Sequence, residues 1–333
     1  MQKTISIIIA IFNRKDELFE LLNSLIAQTD KNFEVIIVDD GSSVDLLPTA
    51  ETFKEMLEIQ YFKKTNSGPG LSRNYGAKRA KNDWLVFVDS DVIVEKDYIE
   101  NIKKNLEKTD CAAFGGADKA HKGFNILQKA ISYSMTSVFT TGGIRGSKKA
   151  VTRFQPRSFN MGVNKEIFLK IGGFSEMRIG EDPDLSMTIW ENGYQTAFFD
   201  NIGVYHKRRT DLGKFSKQVY QFGCARPILN QRHPNYVKPT FWFPTLFLLG
   251  YVAGILEYFL LHKGFVLACY GIYTFVIFFH ALLLTKNLAI AAQAIITTYI
   301  QMFSYGYGFL ESWVKLNILR MKPEEAFPKH FHK

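Results

Sequence analysis

Cysteine is scarce in this chain. Cys111, Cys224 and Cys269 are the only three in 333 residues, and they show neither metal-ligand spacing nor a disulfide framework. Reduced thiols on the cytoplasmic side are therefore expected. A basic array interleaved with aromatics is also missing. The formal charge is +9, but Lys and Arg are diluted among acids. That excludes nucleic acid as the expected partner and favours a basic surface beside anionic lipid. No cleavable leader is expected: the apolar run 5–12 is short, and Asn13-Arg14 follow without a small-residue cleavage pattern. No Ser-His or Cys-His arrangement reads as an activated nucleophile.

Charge is nearly absent from one long stretch. Between Phe241 and Leu310 only Glu257, Lys263 and Lys286 are charged, whereas the chain up to about Tyr236 alternates apolar and charged segments. Residues 241–261, 264–285 and 288–309 each form an apolar run. Each is about 20 residues long, enough at about 1.5 Å per residue to cross a hydrocarbon layer of about 30 Å. His262-Lys263 joins the first two as a helical hairpin. The third contains Gln293, Thr297, Thr298 and Gln301. Three spans with the first half cytoplasmic would put Lys315, Arg320 and Lys322 outside, against the positive-inside rule. Two spans with a re-entrant or interfacial third would keep them inside, and both topologies stay open. The expected domains are 1–235, a membrane domain at 236–313 with three hydrophobic helices, and a polar tail at 314–333.

Trp84-Leu85-Val86-Phe87-Val88 reads as a buried strand running into two carboxylates, Asp89 and Asp91. Side chains at the carboxyl end of such a strand stand clear of the core, where open α/β sheets bind ligands. Two carboxylates that close repel unless a cation or donors intervene, and a hard divalent metal on phosphate oxygens would suit them. An acidic turn is the plainer alternative.

Strands at 5–10, 33–38 and 59–62 alternate with helices at about 17–25, 46–57 and 69–80, which gives an α/β fold with a parallel, doubly wound sheet. Asn13-Arg14, Asp39-Asp40 and Asp89-Ser90-Asp91 could then meet at one edge. A helix at 96–108 and a strand at 111–114 continue the pattern. The apolar stripe at 123–141 fits either a core helix or one lying on a membrane surface. A strand is expected at 159–163, and two more at 195–199 and 202–206. Asp182 before Pro183 fits a helix cap, and a helix follows from about 212 to 231.

Taken together, Ile9-Ala10-Ile11-Phe12-Asn13-Arg14, Val38-Asp39-Asp40-Gly41-Ser42, Gly70-Leu71-Ser72-Arg73-Asn74-Tyr75-Gly76, Val88-Asp89-Ser90-Asp91, Gly172-Gly173-Phe174 and Gly180-Glu181-Asp182 resemble glycosyltransferase family 2. These are inverting, nucleotide-sugar-dependent enzymes with a GT-A fold. The resemblance runs from Ser6 to about Arg226. The stretch 214–227 with the apolar segments after it resembles the membrane-attached branch that builds exopolysaccharide or glycolipid.

The resemblance implies roles by position. Asp39 and Asp40 would contact the base and ribose, with Asn13 and Arg14 as the adjoining wall and Arg73 near the diphosphate. Asp89 would hold the ribose or metal-bound water, and Asp91 a Mg²⁺ or Mn²⁺ on the diphosphate. His206 would be a further metal or diphosphate contact, and Asp182 the general base. Family synthases that polymerise carry Gln-x-x-Arg-Trp, whereas Gln221-Phe222-Gly223-Cys224-Ala225-Arg226 lacks that spacing and the Trp, which favours transfer of one sugar. The expected donor is a nucleotide sugar, a UDP-sugar first, and the acceptor is lipid-linked at the cytoplasmic face of the inner membrane. The rivals are a polyprenyl-phosphate glycosyl transferase and a silent sugar-nucleotide-binding membrane regulator.

Overall fold

A computed structural model describes residues 3–119, 124–141, 153–206 and 211–332. In chain order, β1 (Ile5–Ile11), α1 (Lys15–Ile26), β2 (Phe33–Asp39), α2 (Leu47–Glu51), β3 (Glu58–Lys63) and α3 (Pro69–Ala77) lead into β4 (Trp84–Val88) and β5 (Val92–Val94). Then come α4 (Tyr98–Lys108), β6 (Ala113–Lys119), α5 (Ile126–Thr136), α6 (Val138–Thr141), β7 (Asn160–Asn164), α7 (Lys165–Lys170), α8 (Glu181–Glu191) and β8 (Thr196–His206). The remaining long helices are α9 (Leu212–Arg232), α10 (Phe243–Leu261), α11 (Phe265–Thr285) and α12 (Leu288–Trp313), followed by the short α13 (Pro323–Ala326).

The chain divides into two compact units. The first contains residues 1–121, 148–207 and 329–333, and the second 122–147 and 208–328. The tail read as one polar segment is thus split, and the stripe at 123–141 groups with the membrane-type helices.

The first unit holds one sheet in the order β3-β2-β1-β4-β7-β6-β8-β5. Strands β1 to β4 are parallel, in register from Ile5 opposite Phe33 and Trp84. β7 is antiparallel to both β4 and β6, so the sheet is mixed rather than wholly parallel. Its central strands are buried along nearly their whole length, as their mainly Ile, Val and Phe composition requires. Leu18, Leu21, Leu22 and Leu25 form the inward stripe of α1 and pack with Ile7, Ile9 and Val35. Burying each such side chain contributes about 1.5–3 kcal/mol.

Two expected strands at 195–199 and 202–206 are one, β8, with a register shift opposite Gly116–Asp118 where they join. The helix expected over 46–57 is only α2, because the chain turns after Glu51.

In the second unit α10, α11 and α12 are long and apolar enough to cross a membrane. α12 is the inner helix of the three by burial. Its Thr297 hydroxyl donates to the Ala130 carbonyl of α5 at 3.1 Å, and Ser304 bonds Ser216 of α9 at 2.9 Å. Helix α5 starts at a capping box made by Asn125 and Gln128, and its Ile131 and Met135 pack with Phe215 and Val219 of α9. Thr297, Thr298 and Gln301 of the third apolar run are therefore buried within protein, while Gln293 is half-buried.

Candidate active site

In the order β3-β2-β1-β4, chain progression reverses between β1 and β4, and the crevice beyond that point is where open α/β sheets take ligands. Arg14 follows β1 and Asp91 follows β4. Arg14 Nη1 bonds Asp91 Oδ2 at 2.5 Å across this switch point. Asn13 adopts a left-handed φ of 55°. Its Oδ1 accepts from the Ser43 amide at 2.8 Å and the Ser43 hydroxyl at 3.0 Å, and its own amide donates to Ser42 Oγ. The loops after β1 and β2 are thereby sewn together.

Asp39 and Asp40 sit at the end of β2 and are both buried. Asp39 accepts from the Ser42 amide at 2.8 Å and from the Tyr61 hydroxyl at 2.6 Å. Asp40 accepts from Lys64 Nζ, from the Ser67 amide at 2.8 Å and from the Gly68 amide at 2.7 Å. Much of their hydrogen-bonding capacity thus shapes the loop that enters α3. Gly68 caps that helix with φ 87°, a conformation that glycine reaches without penalty.

Arg73 lies one turn into α3 and is only 4% exposed. Its Nη2 donates to Asp89 Oδ1 at 2.7 Å, its Nη1 is 3.6 Å from Glu181 Oε1, and its guanidinium lies 5.4 Å from the Phe174 ring centre. Asn74 bonds Phe174 in both directions, donating to its carbonyl at 2.7 Å and accepting from its amide at 2.9 Å. One helix therefore grips both the Asp89 loop and the Gly172-Gly173-Phe174 loop.

Asp182 is not a helix cap. Gly180, left-handed at φ 91°, takes the cap position of α8, and Glu181, Asp182 and Asp184 lie in its first turn. Acidic side chains there meet the positive end of the helix dipole. Asp182 Oδ1 is enclosed yet accepts no hydrogen bond among the described residues. Glu181 has its pKa pushed up to about 8, first by burial and then by the charge of Asp182, with Arg73 opposing.

Among the described residues no group of three His, Cys, Asp or Glu side chains could hold a metal. Asp89 and Asp91 are two carboxylates at one strand end, and Mg²⁺ commonly takes one or two carboxylates together with substrate phosphates. The pair fits a cation of that kind, provided the Arg14 contact yields. The backbone of His206 pairs with Val92, next to Asp91, but its side chain lies outside the described residues. The basic run 207–209 also lies outside them.

Asn13, Arg14, Asp39, Asp40, Arg73, Asp89, Asp91 and Asp182 all belong to the first unit. The fold sets Glu181 beside Arg73 and gives Asn74 a partner that the sequence did not show. For Asn74, its place beside Arg73 in the quoted motif was the available signal.

The profile of Glycosyl transferase family 2 matches residues 6–171. An uncharacterised glycosyltransferase of Haemophilus influenzae is 32% identical over 220 residues, covering 62% of this chain and 70% of the relative. One from Rickettsia felis is 40% identical over 106 residues, 32% of this chain, and the chain spans only 18% of that relative. Among solved structures, a mannosyltransferase from Pyrobaculum calidifontis, in complex with GDP-Man and Mn²⁺, superposes with TM-score 0.57 at 16% identity. That match covers 96% of this chain and 88% of the other. The likeness is one of fold, the GT-A fold, with the site motifs at its strand ends. With a relative of this identity covered over more than two thirds of its length, the chain belongs to glycosyltransferase family 2.

Proposed function

We propose that this chain is a membrane-attached inverting glycosyltransferase. It moves one sugar from a nucleotide-sugar donor, a UDP-sugar first, to a lipid-linked acceptor at the cytoplasmic face of the inner membrane, in envelope polysaccharide or glycolipid synthesis. The observation that carries this reading is Arg73, which brings the Asp89 carboxylate and the Glu181-Asp182 turn to one sheet edge. Three apolar helices in the same chain support a lipid acceptor.

In this reading the loops after β1, β2 and β3 hold the nucleoside, with Asn13, Arg14, Asp39 and Asp40 as its wall. Asp91 and Asp89 would hold Mg²⁺ or Mn²⁺, which when bound offsets the charge developing on the departing diphosphate. His206 is the proposed additional ligand. Asp182 takes the proton from the acceptor hydroxyl, whose oxygen attacks the anomeric carbon while the bond to the diphosphate breaks on the opposite face. That single displacement inverts the anomeric centre and needs no enzyme nucleophile. Burial and the neighbouring Asp182 raise the Glu181 pKa to about 8, which keeps this carboxyl from adding its charge beside Asp182.

The test is a panel of UDP- and GDP-sugars with Mn²⁺, read by the melting temperature of the purified chain. A ligand that binds only the native state raises it by mass action. A rise with at least one nucleotide sugar, followed by sugar transfer to a lipid acceptor, is expected. No rise with any of them would overturn the reading.

A further inference from the structure

The residues that follow the second unit return to the first. Phe331 is buried and makes an isolated antiparallel bridge with Met177. The Arg178 amide donates to the His330 carbonyl at 2.7 Å, and the His332 amide donates to the Glu176 carbonyl at 2.9 Å. Segment 330–332 is thus tied by backbone on both sides of Phe331 to the loop that leads from Phe174 to Glu181.

These ties place the His332 imidazole directly on Gly68. A Cβ added to Gly68 would fall 1.8 Å from His332 Cε1 and 2.5 Å from Nδ1, so the ring lies flush on a glycine whose φ of 87° already disfavours a side chain. His332 Nε2 is enclosed in this seat and makes no hydrogen bond among the described residues. Burial and then Arg178 depress the His332 pKa, Lys64 adds to this, and Asp40 and Glu176 oppose it. The ring is therefore neutral, suited to packing rather than to ion pairing. Beneath it, the amides of Ser67 and Gly68 point at Asp40, the loop that the proposed function assigns to the nucleoside.

We propose that His332 is a positioning residue of the donor site: its ring clamps the Gly68 turn and so holds the Asp40 loop and the start of α3 in the nucleotide-binding geometry. The clamp joins three loops, since segment 330–332 hangs on 176–178 and presses on Gly68. It acts on donor affinity and leaves proton transfer at Asp182 alone. This inference rests on the reading of this edge as a nucleotide site. Donor loops held in their bound form before binding lose less entropy when the ligand arrives.

The experiment compares full-length wild type, His332→Ala and His332→Phe for UDP and GDP affinity with Mn²⁺, for kcat and KM, and for hydrogen exchange at Ser67 and Gly68. His332→Ala should weaken nucleotide binding and raise KM by about tenfold with kcat nearly unchanged. It should also speed exchange at the two amides. His332→Phe, which keeps a flat ring on Gly68, should restore most of both. Equal affinity in wild type and His332→Ala would overturn the proposal, as would tighter binding in the variant, which would make the segment an obstruction. Wild type that binds neither nucleotide would sink the functional reading instead. The clamp would then stand or fall on exchange alone, and unchanged exchange in His332→Ala would refute it.

Discussion

Arg73 donates from Nη2 to Asp89 Oδ1 at 2.7 Å, and its other terminal nitrogen is 3.6 Å from Glu181. The two carboxylates come from motifs over ninety residues apart in sequence. Their common partner is buried, and its desolvated charge depends first on Asp89, which it bonds directly. In the proposed reading the pair joins the donor side of the site to the base side.

Removing the cation should therefore cost more than a surface substitution. Arg73→Met should destabilise the fold by about 3–5 kcal/mol, the usual cost of breaking a buried pair on one side. Chemical denaturation in detergent measures it. Arg73→Lys keeps the charge but cannot reach both acids with a planar fork, so it should recover part of the stability and little of the turnover.

Glu181 gives a pH dependence with a definite sign. Its pKa rises from the ordinary 4.5 to about 8 in the fold. Between those values the unfolded chain has released a proton that the folded chain keeps. The stability it contributes is full below the lower value and is lost as pH rises through the upper one. Melting temperature measured from pH 5 to pH 8.5 should show this fall in wild type and a flatter profile in Glu181→Gln. Parallel profiles would contradict the burial argument.

Asp91 bonds Arg14 across the switch point, and the proposed metal would compete with that contact. Asp91→Asn should keep the fold and lose the dependence of donor binding on Mn²⁺, as read by titration with and without a chelator. Metal-dependent binding that survives intact would remove Asp91 from the role.

Much of this site could be read from the sequence, for identifiable reasons. β1, β2 and β4 are largely apolar runs that lead into polar residues, so both the strands and the carboxylates at their ends were visible. β5 escaped notice because three residues carry no period, and β7 gave no sign of its antiparallel direction. Asp182 before Pro183 looked like a cap, but the left-handed Gly180 starts the helix two residues earlier. Thr297, Thr298 and Gln301 made the third apolar run look doubtful as a span. Their burial shows that a polar face in such a run can signal protein packing. His332 could not have been found, because nothing local marks a histidine that seats on a glycine 264 residues earlier.

The central claim is that Asp182 takes the acceptor proton, and Asp182→Asn tests it most directly. Gly180 fills the cap position, so the substitution removes no cap and should leave melting temperature and donor affinity unchanged. Initial rates of sugar transfer, measured beside donor affinity on the same folded protein, should fall by about 10²–10⁴-fold with the affinity intact. Turnover within about threefold of wild type, where loss of a general base demands at least about a hundredfold, would contradict the account.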